Sequence, residues 1–328
     1  MTKVALRFAC LAFSCAALAV AGNEIRAQGY PNRTIRMVVP YPAGGTANDM
    51  RARIIADKLT QSLGKQVLVE NKPGADGAIG TELVAKAAPD GHTLLLTVHA
   101  TLLANPVLFK KMRYDPVNDF EHITQIITTT VILAVNPSLP VGSVKELIAL
   151  AKAKPGQLNY ATAASAFYLV TEMFKLRTGA DMVYVPYKGA PPATMALLSG
   201  ESPVIFSPLQ TLLPLVKANK VRALAVASAA RSPVLPDTPT MAESGLPGFE
   251  VSTVTGFAAP AGTPKEIVRI LHDEIVKIVR MPEVRERLEG GGDTIIGSTP
   301  EEFTAFIKAE IERDRIVVRE AGIPLIDQ

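Results

Sequence analysis

IRMVVPYPAGGTANDMRARIIADKLTQSLG, residues 35–64, changes its hydrophobic period midway. Ile35 to Val39 is a nearly unbroken apolar run, the pattern of a strand buried on both faces. Met50, Ile54, Ile55, Leu59 and Leu63 then recur at helical spacing, and Gly64 stands where a C-cap belongs. The join between them, VPYPAGGTAND (39–49), puts a glycine pair at the carboxyl end of a strand. Glycine lets the backbone turn sharply and come close to a guest. The helix that follows offers free N–H groups and the positive end of its dipole, and open α/β sheets bind ligands at this end of their strands. An anion suits the position. The same residues also fit a plain strand-to-helix turn with Asn48 or Asp49 as N-cap. No Lys-Ser or Lys-Thr follows the glycines and the GxGxxG spacing is missing, so a nucleotide is not the expected guest.

The alternation continues outward from this unit. Val67 to Val69, Thr93 to Val98 (after an Asp90-Gly91 turn), Met182 to Val185, Val204 to Phe206 and Val221 to Ala227 read as strands next to helical patterns. Ser143 with Glu146, Thr263 with Glu266 and Ser298 with Glu301 read as capping boxes ahead of helices. Strands separated by helices predict parallel sheets covered on both faces, and 328 residues hold two such units. SPVLPDTP (232–239) reads as a surface loop. No flexible linker follows from the composition, so two domains would be joined by structured chain, as suits rigid-body closure.

The chain begins with Lys3 and Arg7, an apolar run from Phe8 to Ala21, and Ala19-Val20-Ala21 as a small-x-small site. This reads as a secretory signal within residues 1–27, cut after Ala21 or after Ala27. The run is short for a membrane span. Both cysteines, Cys10 and Cys15, lie inside it, so the mature chain has no disulfide, thiolate site or thiol nucleophile.

A net charge of +3 leaves no basic footprint for nucleic acid. The four histidines (His92, His99, His122, His272) are scattered, with neither HExxH nor i,i+4 pairing, so no metal site is expected. No GxSxG elbow is present. Neither catalysis nor a cofactor is expected.

Longer stretches carry more. They are VPYPAGG (39–45), VLVENKPGADGAIG (67–80), APDGHTLLL (88–96), YDPVNDF (114–120), VNPSLPVGSVKELIALAKAKPGQLNY (135–160), VPYKGAPPA (185–193), RSPVLPDTPTMAESGLPGFE (231–250) and APAGTP (259–264). In this order they resemble the substrate-binding receptors of tripartite tricarboxylate transporters, the Bug receptors, over nearly the whole mature chain. The resemblance implies an α/β, two-domain periplasmic binding protein fold of type II-like form, with two mostly parallel sheets, flanking helices and a ligand cleft between the domains. Residues 28–127 with 253–328 would form the first domain and 128–252 an inserted second, with crossings near Thr128 and Thr253.

The implied ligand is a small mono-, di- or tricarboxylate. The implied partners are the membrane subunits of a transporter, and a monomer is expected. A sensor kinase as the docking partner, or a secreted hydrolase on a similar scaffold, are the competing functions. The resemblance implies ligand contacts from Tyr41, Ala43, Gly44, Gly45 and Thr46, and from His99, Ala100 and Thr101 in TVHAT. From the second domain it implies Thr162, Ala163 and Ser165 after Tyr160, Ser207 beyond Phe206, and Lys188 in PYKG. The chain departs from the pattern in three places. The loop after Asn159-Tyr160 is short, with Tyr168 where a histidine is expected. Ser207-Pro208 replaces an Asp-Asn, which disfavours an amino acid ligand. The spacer from Gly45 to Asp49 is one residue longer. Phe167 and Tyr168 suggest a less polar wall suited to an aromatic or branched acid.

Overall fold

A computed structural model describes residues 29–44 and 47–327. The signal segment and the ligand candidates Gly45 and Thr46 lie outside the described residues.

The sheet runs in the order β2-β1-β3-β9-β4-β7-β5-β6, with β8 and β10 added on β4. At one end β1 (Ile35–Val39) pairs in parallel with β2 (Val67–Asn71) and β3 (Thr93–Val98). At the other, β5 (Leu158–Thr162) pairs in parallel with β6 (Met182–Pro186) and β7 (Val204–Pro208). Between them lie β4 (Phe120–Val135) and β9 (Ser252–Pro260), whose pairings are all antiparallel. These are the strands that leave one half and re-enter it. β4 pairs with β9 through Thr130 and then with β7 and β8 (Arg222–Val226) from Val131 onward. The chain returns where the Val251 N–H still bonds Ala227 O and Ser252 already pairs with Thr130.

Each half is covered on both faces because its strands alternate. Met37 and Val39 point into a cluster with helix α1 (Ala47–Leu63) and helix α8 (Lys265–Val279), while Val38 and Leu95 face α2 (Ala78–Ala85). In the second half Val131, Leu133 and Val135 join α4 (Val144–Ala153) and α5 (Ser165–Thr178). Ile132 and Ala134 face α6 (Ala190–Ser199) and α7 (Leu209–Lys217). Helix α10 (Pro300–Glu320) follows α9 (Pro282–Glu289) and β10 (Asp293–Ile295). Its Phe303, Ile307 and Ile311 pack into the second half's large cluster, together with Leu102 and Leu103 from a π-helical turn (Ala100–Ala104) and with Leu108 from α3 (Asn105–Leu108). Late chain thus straps onto the second half. No helix among the described residues is long and apolar enough to cross a membrane.

All three expected capping boxes differ from the sequence reading. Thr263 donates to Pro260 O at 2.7 Å and α8 starts after Pro264 with no side-chain cap, so Thr263 and Glu266 form no capping box. The box expected at Ser298 and Glu301 sits one residue on, at Thr299 and Glu302. Ser298 Oγ is committed elsewhere, accepting the Gln125 N–H at 3.0 Å where β4 bulges. Ser143 does cap α4 through the Glu146 N–H, but the Glu146 carboxylate reaches Gly142 N–H instead of closing the box.

Candidate functional site

The loop after β1 is held by two side chains from outside it. Gly44, at φ +71, donates its N–H to Asp49 Oδ2 at 2.9 Å. That φ is a conformation glycine adopts without strain. Asn71, at the end of β2, donates from Nδ2 to Asp49 Oδ1 and to Tyr41 O, both at 2.9 Å. Arg53 completes the set on the Asp49 carboxylate at 3.0 and 3.2 Å. Burial alone would raise the Asp49 pKa, but the hydrogen bonds from Arg53, Gly44 and Asn71 outweigh it and bring it down to about 2. Asp49 and Asn48 both lie inside the first turn of α1, so neither is its N-cap. The buried Asp49 carboxylate reaches back instead and fixes the turn that carries Tyr41, Ala43 and Gly44.

A second turn, after β2, comes up beside it. Asp76 lies in a 3-10 turn (Ala75–Gly77) with φ 46 and ψ 43, a left-handed conformation that few residues besides glycine, asparagine and aspartate adopt. Its carbonyl accepts from Asn105 Nδ2 at 3.0 Å, and its Oδ1 lies 3.3 Å from the Tyr41 hydroxyl. Burial first, and then the Asp76 charge, hold the Tyr41 phenol well above its ordinary range, so it stays protonated and donates.

From the second half, the N-terminus of α5 reaches these groups. The Ser165 N–H, without a partner in its own helix, donates to Asp76 Oδ2 at 3.0 Å. The Ser165 hydroxyl donates to Asn105 Oδ1 at 2.8 Å. The two halves therefore meet through hydrogen bonds at the carboxyl ends of their strands.

The structure brings Tyr41 and Ser165 together through Asp76 and Asn105, neither of which the sequence reading singled out. One signal for Asp76 was present: a charged residue inside the glycine-rich turn PGADG. Nothing local marked Asn105, which enters only because α3 begins beside that turn.

The other candidates are placed as follows. Thr101 is buried, its hydroxyl bonds Val98 O at 3.1 Å, and its carbonyl accepts from the Tyr114 hydroxyl at 2.6 Å. His99 and Ala100 are buried at the start of the π-helical turn. Burial, followed by the nearby Arg313 charge, pushes His99 down to about 3. Thr162 is buried at the end of β5, its carbonyl accepting the Tyr187 N–H, and Ala163 is half-buried beyond it. Ser207 is buried in β7 opposite Ile132. Lys188 is exposed on the turn after β6 and makes no ion pair among the described residues. Phe167 and Tyr168, of which a less polar wall was expected, are buried. Both belong to the second half's core cluster, and the Tyr168 ring packs 4.5 Å from Tyr184.

Behind the site, where both crossing strands run, Arg51 is almost fully buried. It pairs with Asp293 and donates to Thr129 Oγ1 at 3.1 Å and Thr255 Oγ1 at 3.3 Å. Thr129 also donates to Asp293 at 2.7 Å. One guanidinium thus ties α1, β4, β9 and β10 together at the point where the chain changes halves.

The family model described as "Tripartite tricarboxylate transporter family receptor" matches residues 51–323. Protein BugT of Bordetella pertussis is 38% identical over 304 residues, covering 92% of this chain and 93% of the relative. Rpa4515 of R. palustris, solved with adipate, is 35% identical with a TM-score of 0.84, over 91% of this chain and 100% of that one. MatC (Rpa3494) from Rhodopseudomonas palustris, solved with bound malate, is 33% identical with a TM-score of 0.81, over 88% and 100%.

Proposed function

The chain belongs to the tripartite tricarboxylate transporter family of receptors, and from that premise we propose that it is a periplasmic receptor that closes around a small organic carboxylate and delivers it to a membrane transporter of that type. Residues 28–127 with 253–328 form one lobe and 128–252 the other. They turn about the two crossings of the chain, and the segment up to residue 27 directs export.

The observation that carries this reading is the contact between the halves. Backbone and hydroxyl donors at the start of α5 face the turns of the first half at the ends of β1 and β2. A ligand carboxylate drawn between the halves would meet the Gly-rich turn after β1, across from the α5 N-terminus whose Ser165 N–H bonds Asp76. Helix-end interactions contribute about 0.3–1 kcal/mol each, and up to roughly 2 when partly buried. Charge-assisted hydrogen bonds add about 1.5–3 each. Three or four such contacts, less the costs of ordering and closure, reach about −8 kcal/mol, a micromolar dissociation constant. The adipate and malate held by two solved relatives are ligands of the class the reading requires.

Calorimetric titration of the mature chain against a panel of organic acids, after unfolding and refolding to strip anything co-purified, tests the proposal. Saturable micromolar binding of at least one acid is expected. Binding of none would overturn it.

A further inference from the structure

The carboxylate of Asp76 stands where a ligand's carboxylate would be drawn. Its Oδ2 takes the free Ser165 N–H of α5 at 3.0 Å, so the protein's own anion occupies that helix end. Asp76 is held there from behind. Asn105 Nδ2 fixes its carbonyl, Tyr41 approaches its other oxygen at 3.3 Å, and its backbone keeps a left-handed φ of 46. The side chain is half-buried, and among the described residues no lysine or arginine bonds it, so its charge has no cation to offset it.

We propose that Asp76 is a specificity-determining residue: by filling the anion position at the α5 N-terminus it restricts the ligand to one carboxylate, with an uncharged or cationic far end. That leaves the single carboxylate to the side of the turn after β1, whose shape is set by the bond from Gly44 N–H to Asp49. A second carboxylate would have to displace Asp76 or lie beside it, and two like charges in close contact away from bulk water repel strongly. This inference rests on the receptor reading and narrows its ligand class. It also reverses the expectation drawn from Ser207-Pro208, because Asp76 restores a carboxylate able to face an ammonium group.

The test compares acids matched in size, such as hexanoate, 6-aminohexanoate and adipate, and benzoate with terephthalate. Each is titrated into the mature chain and into the Asp76→Gly and Asp76→Asn variants. Glycine suits the local φ, so Asp76→Gly is expected to fold. In the unaltered protein the monoacid or amino acid of a set should bind at least about tenfold tighter than the diacid. Asp76→Gly should shift that ratio toward the diacid by about tenfold, and Asp76→Asn, which keeps the acceptor but not the charge, should shift it in the same direction. A diacid preferred by the unaltered protein overturns the assignment of Asp76 and leaves the receptor reading standing. A ratio unmoved in both variants does the same, since a merely structural turn would weaken both members of a pair alike. No binding of any acid by any of the three proteins overturns the receptor reading and this inference with it.

Discussion

Arg51 shows how much one side chain can concentrate. Its guanidinium is buried against Asp293, and its terminal nitrogens also donate to Thr129, Thr255 and Asn48, while the buried Nε–H has no partner among the described residues. Burial disfavours its charged form, and the Asp293 carboxylate offsets that. Removing the cation leaves a buried carboxylate with only Thr129 to answer it. Arg51→Met is therefore expected to cost about 3–5 kcal/mol, read as a lower urea midpoint. Adding Asp293→Leu should recover much of the loss, because a buried pair replaced whole by apolar groups is often close to neutral. If the single variant is as stable as the unaltered protein, the pair does not hold the crossing together. Asp49 works in the same way on a smaller scale. Asp49→Ala removes the partner of the Gly44 N–H and one of the two acceptors of the Asn71 amide. A loss of about 1–3 kcal/mol in stability is expected. Calorimetry should show carboxylate affinity about tenfold weaker, since the turn after β1 is no longer pre-formed. Affinity unchanged in a destabilised variant would mean that the turn does not contact the ligand.

Among the elements, β4 and β9 decide the architecture; neither was read as a strand from the sequence, although the crossings expected near Thr128 and Thr253 fall within them. FEHITQIITTTVILAV (120–135) mixes His, Gln and four threonines with apolar residues, so it has neither clean alternation nor a purely apolar run. It nonetheless forms a 16-residue strand, because its polar groups find partners that are remote in sequence. Thr124 Oγ1 donates to Ser298 O at 2.8 Å, and the bulged Gln125 N–H bonds Ser298 Oγ. That bond directs the Ser298 hydroxyl toward β4, and the α10 cap is formed one residue on by Thr299. On β9, Gly256 lies so close to β4 that a Cβ would stand 2.5 Å from Thr124 O and 2.7 Å from the Phe303 ring. Backbone cannot give way as a side-chain tip can. Gly256→Ala should destabilise the protein by about 2–3 kcal/mol, measured by thermal or urea unfolding. A change under about 0.5 kcal/mol, the range of ordinary surface substitutions, would mean that the strands stand further apart.

At the scale of the whole molecule, buried titratable groups set how stability changes with pH. Burial, reinforced by Arg313, holds His99 at about 3. Burial lowers His122 to about 4, with Lys308 adding to the fall and a bond to Pro116 O opposing it. Unfolded, both histidines take a proton near 6.5, so the unfolded chain gains protons first as pH falls and stability drops below that value. Asp314 acts in the opposite sense. Burial raises it to about 6 despite Arg313, against 3.8 unfolded, so its contribution to stability grows as pH falls from about 6 toward 4. Two histidines against one aspartate predict a net loss of roughly 3 kcal/mol between pH 6.5 and 4.5. Urea titrations across that range should show it, and Asp314→Asn, which removes the opposing group, should steepen the decline. Stability that stays flat from neutral pH to 4.5 would contradict the burial of these histidines.

The sequence by itself determined the β–α grammar and the family. Local periods, a glycine turn and an ordered series of motifs are written in neighbouring residues, and short-range sterics act on them directly. Tyr41 was singled out through the glycine-turn motif that contains it, and Ser165 through what the resemblance implies for the loop after Tyr160. Only the tertiary structure decided how β4 and β9 pair, that α10 packs on the second half, and that Asp76 and Asn105 stand between Tyr41 and Ser165. Those outcomes rest on hydrogen bonds and buried charges between residues tens to hundreds of positions apart. The free energy of such contacts exists only once the chain has closed on itself, so no local pattern records it.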